Sequence, residues 1–261
     1  MGGKIRKYIW NISTAIAVGV TAALIISSCD IASYPTGTEF DILGGLQMSF
    51  ILEYTAYLVP VAVCFPYAMR FSEEMAGGYG QFAMLRVGRL PYAIRKLGDA
   101  MFSSAMVMLL GVFIYTAYVF LHCQYYSMAV TCHDIGFFGD ADCPALYYDW
   151  IQAGGGVAVY VVNILFLMTY AMFWSIVGTV VSLFTSNRRA AIVSPFLLKR
   201  FLDYAVPDKL FFLMPSNLRM SGWVIEQAYG GLWYGAVYIL IAFAVGLLVV
   251  LIKLQRSALK M

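Results

Sequence analysis

The 261 residues are 62% hydrophobic, 16% aromatic and only 12% charged, with a formal net charge of +3 and a mean hydropathy of +0.78. Globular domains carry about 25% charged residues, so a soluble fold is excluded, and a charge this small, clustered at the ends of apolar runs, asks for no nucleic acid. The runs are apolar on all sides rather than alternating, which argues against a β-barrel and for an all-α polytopic membrane protein with little room for a soluble domain.

Taken in order, Lys4, Arg6 and Lys7 precede an apolar run too long for a signal peptide, whose core is about 7–15 residues; an uncleaved first span over 8–28 is expected. Arg6 stands where N-myristoylation requires Ser or Thr. The outer loop 29–45 carries Asp30, Glu39 and Asp41 and no Lys or Arg. The second span, 46–69, contains Glu53 and is expected to kink at Pro60 and Pro66. The stretch 70–99 holds Arg70, Glu73, Glu74, Arg86, Arg89, Arg95, Lys96 and Asp99 and reads as a water-exposed loop. A third span over 100–121 leads to the outer segment 122–152, with Asp134, Asp140, Asp142 and Asp149 and again no Lys or Arg. The fourth span, 157–184, ends at Arg188 and Arg189. The fifth, 190–207, is interrupted by Lys199, Arg200 and Asp203. A polar outer segment, 208–230, leads to the sixth, 231–252, followed by Lys253, Arg256 and Lys260.

Basic residues gather at both termini, in 70–99 and at Arg188–Arg189, and are missing from the segments after spans one and three. The positive-inside rule then places both termini and those two connections in the cytoplasm. Span six must begin outside, so something between Ala190 and Gly230 must cross despite its polarity. No internal repeat is visible.

Cys29, Cys123, Cys132 and Cys143 fall on the outer side and can form two disulfides, with three connectivities, or remain thiols; Cys64 lies within span two. His122 and His133 beside Cys123 and Cys132 fit no zinc-finger spacing, and no metal is expected. The chain has no GxxxxGK[ST] phosphate loop, HExxH helix or GxSxG elbow. No enzymatic centre and no cofactor bound by this chain are expected. Tyr115, Tyr118, Tyr125, Tyr126, Tyr147, Tyr148, Trp150, Trp223, Trp233 and Tyr234 read as an interfacial aromatic belt. Gly154–Gly156 opens span four as a close approach or a hinge.

Phe71, Glu74, Gly77, Arg86, Tyr92 and Lys96 form a series F-x-x-E-x-x-G…R…Y-x-x-x-K. Its place between spans two and three, and the six-span, both-ends-inside plan, resemble the membrane subunits of bacterial ABC transporters of the ABC-2 permease type. The resemblance implies that this loop is a coupling helix docked on a separately encoded ATPase subunit, which would hold ATP and Mg. It also implies a pair of permease subunits, identical or homologous, exporting a substrate across the bacterial cytoplasmic membrane. The glycines at 77, 78 and 80 and Pro91 depart from the pattern. Independently, Gln81–Leu90 places Phe82, Leu85, Arg86 and Arg89 on one helical face. A docking surface needs such apolar area beside charge. By spacing alone the loop also reads as a connector whose charges enforce topology. Glu73, Glu74 and Lys96 would anchor the ends of the docking segment.

A second candidate is the charge within the spans: Glu53, Lys199, Arg200 and Asp203. Mid-span ions cost roughly 2.5–3.5 kcal/mol each on insertion scales and therefore face a bundle interior or a wet cavity. Lys199–Asp203 and Arg200–Asp203 have helical pair spacing. The group would line or gate a substrate route, or serve as a structural ion cluster. Peptide, drug-like or lipophilic substrates fit an exporter. The competing classes are an ion-coupled carrier using Glu53 and Asp203, and a non-transporting immunity or assembly factor.

Overall fold

A computed structural model describes residues 12–29, 31, 36–51, 53–76, 79–132, 155–185, 188–205, 215–218 and 228–258. Eight α-helices carry these residues: α1 (Ile12–Ser28), α2 (Ile42–Ile51), α3 (Glu53–Ala76), α4 (Tyr79–Val87), α5 (Arg89–Tyr125), α6 (Gly156–Ser182), α7 (Arg188–Ala205) and α8 (Ala228–Ala258). Two short strands, β1 (Glu39–Asp41) and β2 (Ala129–Thr131), and a 3-10 turn at Pro215–Leu218 complete the described part.

α6 is the hub. It is apolar around its whole circumference, as a helix surrounded by protein or lipid must be. α3, α5, α7 and α8 all pack on it, while α1 closes the far side against α3 and α5. Trp174 and Tyr170 of α6 are fully buried, with Val59 and Val63 of α3 and Val107, Met108 and Val112 of α5 in the same core. A second core at the basic end joins Tyr67, Tyr92, Leu97, Ala100, Ile176, Val250 and Leu254.

The outward faces are equally apolar. On α5, exposed side chains run from Phe102 to Leu121, and on α8 from Trp233 to Ile252. Each stripe is roughly 28 Å tall at about 1.5 Å per residue, close to the roughly 30 Å hydrocarbon core of a bilayer. Large exposed apolar area of this kind has to be covered. Arg89–Tyr125, Gly156–Ser182 and Trp233–Gln255 are long and apolar enough to cross a membrane. The protein is therefore an all-α, membrane-embedded one.

Several boundaries differ from those read in the sequence. The second span is not one kinked helix. Its residues fall in the bent pair α2 and α3, whose axes differ by 84°, while Pro60 and Pro66 lie inside the continuous α3. α2 begins within the segment expected to be outer loop, because Asp41 caps it: its carboxylate oxygens accept the Leu43 and Gly44 amides, both at 3.1 Å. That satisfies donors a helix start otherwise leaves open. β1 pairs in parallel with β2, Phe40 opposite Val130, which ties the segment after α1 to the segment after α5. Residues 70–99 are helical nearly throughout rather than a loop. α3 continues to Ala76, and α5 starts at Arg89 instead of residue 100. Pro91 is tolerated because it stands in the first turn of α5, where the missing N–H has no helical partner.

Candidate functional site

The basic end of the bundle is built from the ends of α3 and α5, with α4 between them. Gly88 makes the sharp turn out of α4 with a φ of 93°, a region that penalises any Cβ. Its amide donates to the Met84 carbonyl at 2.9 Å, and its own carbonyl accepts the Tyr92 amide at 3.3 Å, so it closes one helix and opens the next. Across the gap, Lys96 of α5 pairs with Glu74 of α3. Tyr92 donates to the same carboxylate at 3.5 Å, and the Lys96 ammonium lies 5.6 Å from the Tyr92 ring centroid. Three members of the quoted series, Glu74, Tyr92 and Lys96, are thus one brace. Arg95 and Asp99 form a looser pair at 3.9 Å one turn further on.

Glu74 and Lys96, expected to anchor the ends of the docking segment, face each other between α3 and α5. What α4 presents outward is Phe82, 74% exposed, Leu85, 86% exposed, and Arg86, continued by Arg89 and Leu90 at the start of α5. Arg89 belongs to α5, since Gly88 ends α4 before it. The backbones of Glu73 and Gln81 lie in α3 and α4, and their side chains lie outside the described part.

The second group sits where α3 and α7 run antiparallel. Lys199 is only 4% exposed. Its ammonium donates to Asp203 Oδ2 at 2.7 Å and stands 4.0 Å from the Tyr57 ring centroid. The Tyr57 hydroxyl donates to the same Oδ2 at 2.8 Å and accepts from Arg200 Nη1 at 3.1 Å. The Arg200 guanidinium lies 4.8 Å from the Tyr204 ring centroid, and Phe196 meets Tyr57 edge-on at 5.7 Å. Every charge therefore has an oppositely charged or aromatic neighbour. Lys199, Arg200 and Asp203 come together as expected, and the residue that joins them is Tyr57, which sequence reasoning passed over. A signal existed: Tyr57 is four residues after Glu53, on one helical face with it. Glu53 is the first residue of α3, one turn from Tyr57, and its side chain is outside the described part.

α7 owes its position to an inverted amphipathic pattern. Val193, Leu197, Phe201 and Tyr204 point away from the bundle, while Ala191, Pro195 and Lys199 point in. A charge turned inward with large apolar side chains outward suits a hydrocarbon surrounding, where a polar group is satisfied only by protein.

Other expected residues sort as follows. Cys29 Sγ lies 3.6 Å from the Tyr115 hydroxyl, Cys132 donates to the Gly156 carbonyl at 3.2 Å, and Cys123 is buried on α5. Among the described residues no disulfide joins these three, and Cys143 lies outside them. Tyr115 is not interfacial. It is fully buried and donates to the Ile42 carbonyl at 3.4 Å, because the bend between α2 and α3 brings Ile42 inward over α5. Tyr125 and Trp233 are exposed, as a belt requires; Tyr147, Tyr148, Trp150 and Trp223 lie outside the described residues. Gly156 serves close approach: a Cβ there would stand 2.2 Å from the Cys132 carbonyl oxygen.

Comparison with family models, with curated proteins and with solved structures finds no match. The ABC-2 resemblance thus rests on the residues named above.

Proposed function

We propose that this chain is the permease subunit of an ATP-driven ABC exporter, working as a pair in the bacterial cytoplasmic membrane, with six crossings and both termini inside. ATP and Mg would be bound by a separate ATPase subunit, and this chain would carry out no hydrolysis itself. The observation that carries the reading is α4. It is a short helix at the basic end whose large apolar side chains and Arg86 face away from the bundle, on a base held by Glu74, Tyr92 and Lys96. Apolar knobs give affinity and the flanking cations set orientation, while the braced base passes a push on α4 directly into α3 and α5. The Tyr57–Lys199–Arg200–Asp203 group would then act at the α3–α7 contact, where helices must separate for a peptide or lipophilic substrate to pass.

The test is capture of a Mg-dependent ATPase from the native membrane on tagged protein. The substitutions Phe82→Ser and Leu85→Ser together should abolish capture while the permease still elutes as a monodisperse peak. Retained ATPase with the double variant overturns the docking face. Substrate movement by the purified chain alone, down an ion gradient, overturns the ABC reading in favour of an ion-coupled carrier.

A further inference from the structure

Among the described residues, the ring of helices around α6 is not closed. α7 and α8 both pack on α6 but make little contact with each other. The gap holds a cavity of about 410 Å³, walled by Val177 and Val181 of α6, Leu198 of α7, and Val245 and Val249 of α8. Phe173 and Tyr238, with ring centroids 5.4 Å apart, stand at the end away from the basic side. From Tyr238 to Val249 the slot runs roughly 16 Å along α8. Its walls are almost wholly hydrocarbon, so nothing in it orients a polar ligand. Ile241 and Val245 line it and are also exposed on the outward face of α8, so it opens sideways into the membrane.

The basic end of the slot differs in chemistry. Lys253 follows Val249 by four residues and lies on the same face of α8. Phe184 follows Val181 by three, just past the end of α6. The two meet, with the Lys253 ammonium 4.9 Å from the Phe184 ring centroid. Both walls therefore end at a cation held near the level where the basic residues of the chain gather. A helix about 10 Å across and 16 Å long fills roughly 1,200 Å³, so the slot cannot swallow a helix of a second copy. It is the size and shape for one hydrocarbon chain, and clefts of roughly 300–1,000 Å³ are the usual size of small-molecule sites.

We propose that the slot between α6, α7 and α8 holds one acyl chain of an anionic phospholipid from the basic-side leaflet, with the headgroup at Lys253. The second acyl chain stays in the bilayer, which the sideways opening permits. Apolar burial holds the tail, and the cation selects the charge of the head.

The experiment uses the full chain, purified alone and exchanged through detergent into vesicles of phosphatidylglycerol and phosphatidylcholine. Lipid retained after detergent washing is counted by native mass spectrometry. The wild-type chain should hold one phosphatidylglycerol. Ala242→Phe, which fills the slot from α8, should lower retention about tenfold, equivalent to a single lost favourable subsite. Val181→Phe fills it from the opposite wall and serves if the first variant elutes as aggregate. Lys253→Gln should keep a bound lipid while lowering the preference for phosphatidylglycerol over phosphatidylcholine about fivefold. Wild-type protein that washes free of lipid overturns the proposal. So does unchanged retention in a folded slot-filling variant, or unchanged headgroup preference in Lys253→Gln. Disulfide-linked dimers of Ala242→Cys without bound lipid would replace the phospholipid by a second copy lying over the slot. No ATPase enters the measurement, so its outcome is independent of the transporter reading.

Discussion

α4 and α7 both carry cations and large apolar side chains, and they present them in opposite ways. On α4 the exposed Phe82 and Leu85 stand beside exposed Arg86, at the end of the bundle. On α7 the exposed Leu197, Phe201 and Tyr204 stand opposite Lys199, which is turned in and engaged by Asp203 and Tyr57. The same residue types thus report two different surroundings. Where a cation and an apolar knob share one outward face, water is within reach of the charge, and the partner proposed above would cover the apolar part. Where they split to opposite faces, hydrocarbon lies outside and the protein must satisfy the charge itself.

The sharpest way to break this comparison is at the inward charge. Asp203→Leu leaves the Lys199 ammonium buried without its carboxylate and should destabilise the chain by about 3–5 kcal/mol, read as a lower thermal midpoint in detergent. Pairing it with Lys199→Met should recover most of the loss; no recovery would mean that Asp203 acts on some other neighbour. A matched pair of substitutions on the outward faces comes next. Phe201→Asp on α7 places a carboxylate toward hydrocarbon and should cost roughly 2.5–3.5 kcal/mol of insertion. Leu85→Asp on α4, at a more exposed site, should change folding by no more than about 0.5 kcal/mol. Equal penalties at the two positions would erase the distinction between the helices. The smallest effect is expected at the brace: Glu74→Gln should lower stability by about 0.3 kcal/mol, given its partial exposure. With it, proteolytic nicking between α3 and α5 should rise at unchanged overall fold.

Much of α4 was legible in the sequence. Helical spacing alone grouped Phe82, Leu85, Arg86 and Arg89, and the described side chains are exposed together. Local spacing suffices there because nothing but the helix itself and solvent decides the face. Glu74 and Lys96 were legible as ends of the segment but not as partners, because whether two charges 22 positions apart meet depends on how α3 and α5 pack. The charge cluster divides in the same manner. Lys199–Asp203 is an i,i+4 pair within one helix, readable from spacing. Tyr57 enters from a different helix, and only the antiparallel contact of α3 with α7 brings its hydroxyl between Arg200 and Asp203. Tyr115 was placed at the interface by its type, yet it is buried because the α2–α3 bend lies over it.

The amino-acid sequence by itself determined the membrane class and the helical character, since these follow from composition and run length along one chain. It also determined which face of α4 is apolar and basic, through the 3.6-residue period. The tertiary structure decided the rest: the break between α2 and α3, the Glu74–Tyr92–Lys96 brace, the entry of Tyr57 into the α7 cluster, and the cavity between α6, α7 and α8. These depend on which helices lie next to one another. Adjacency is settled by packing and by the demand of buried polar groups for partners, summed over the whole bundle, and no local stretch of sequence carries that sum.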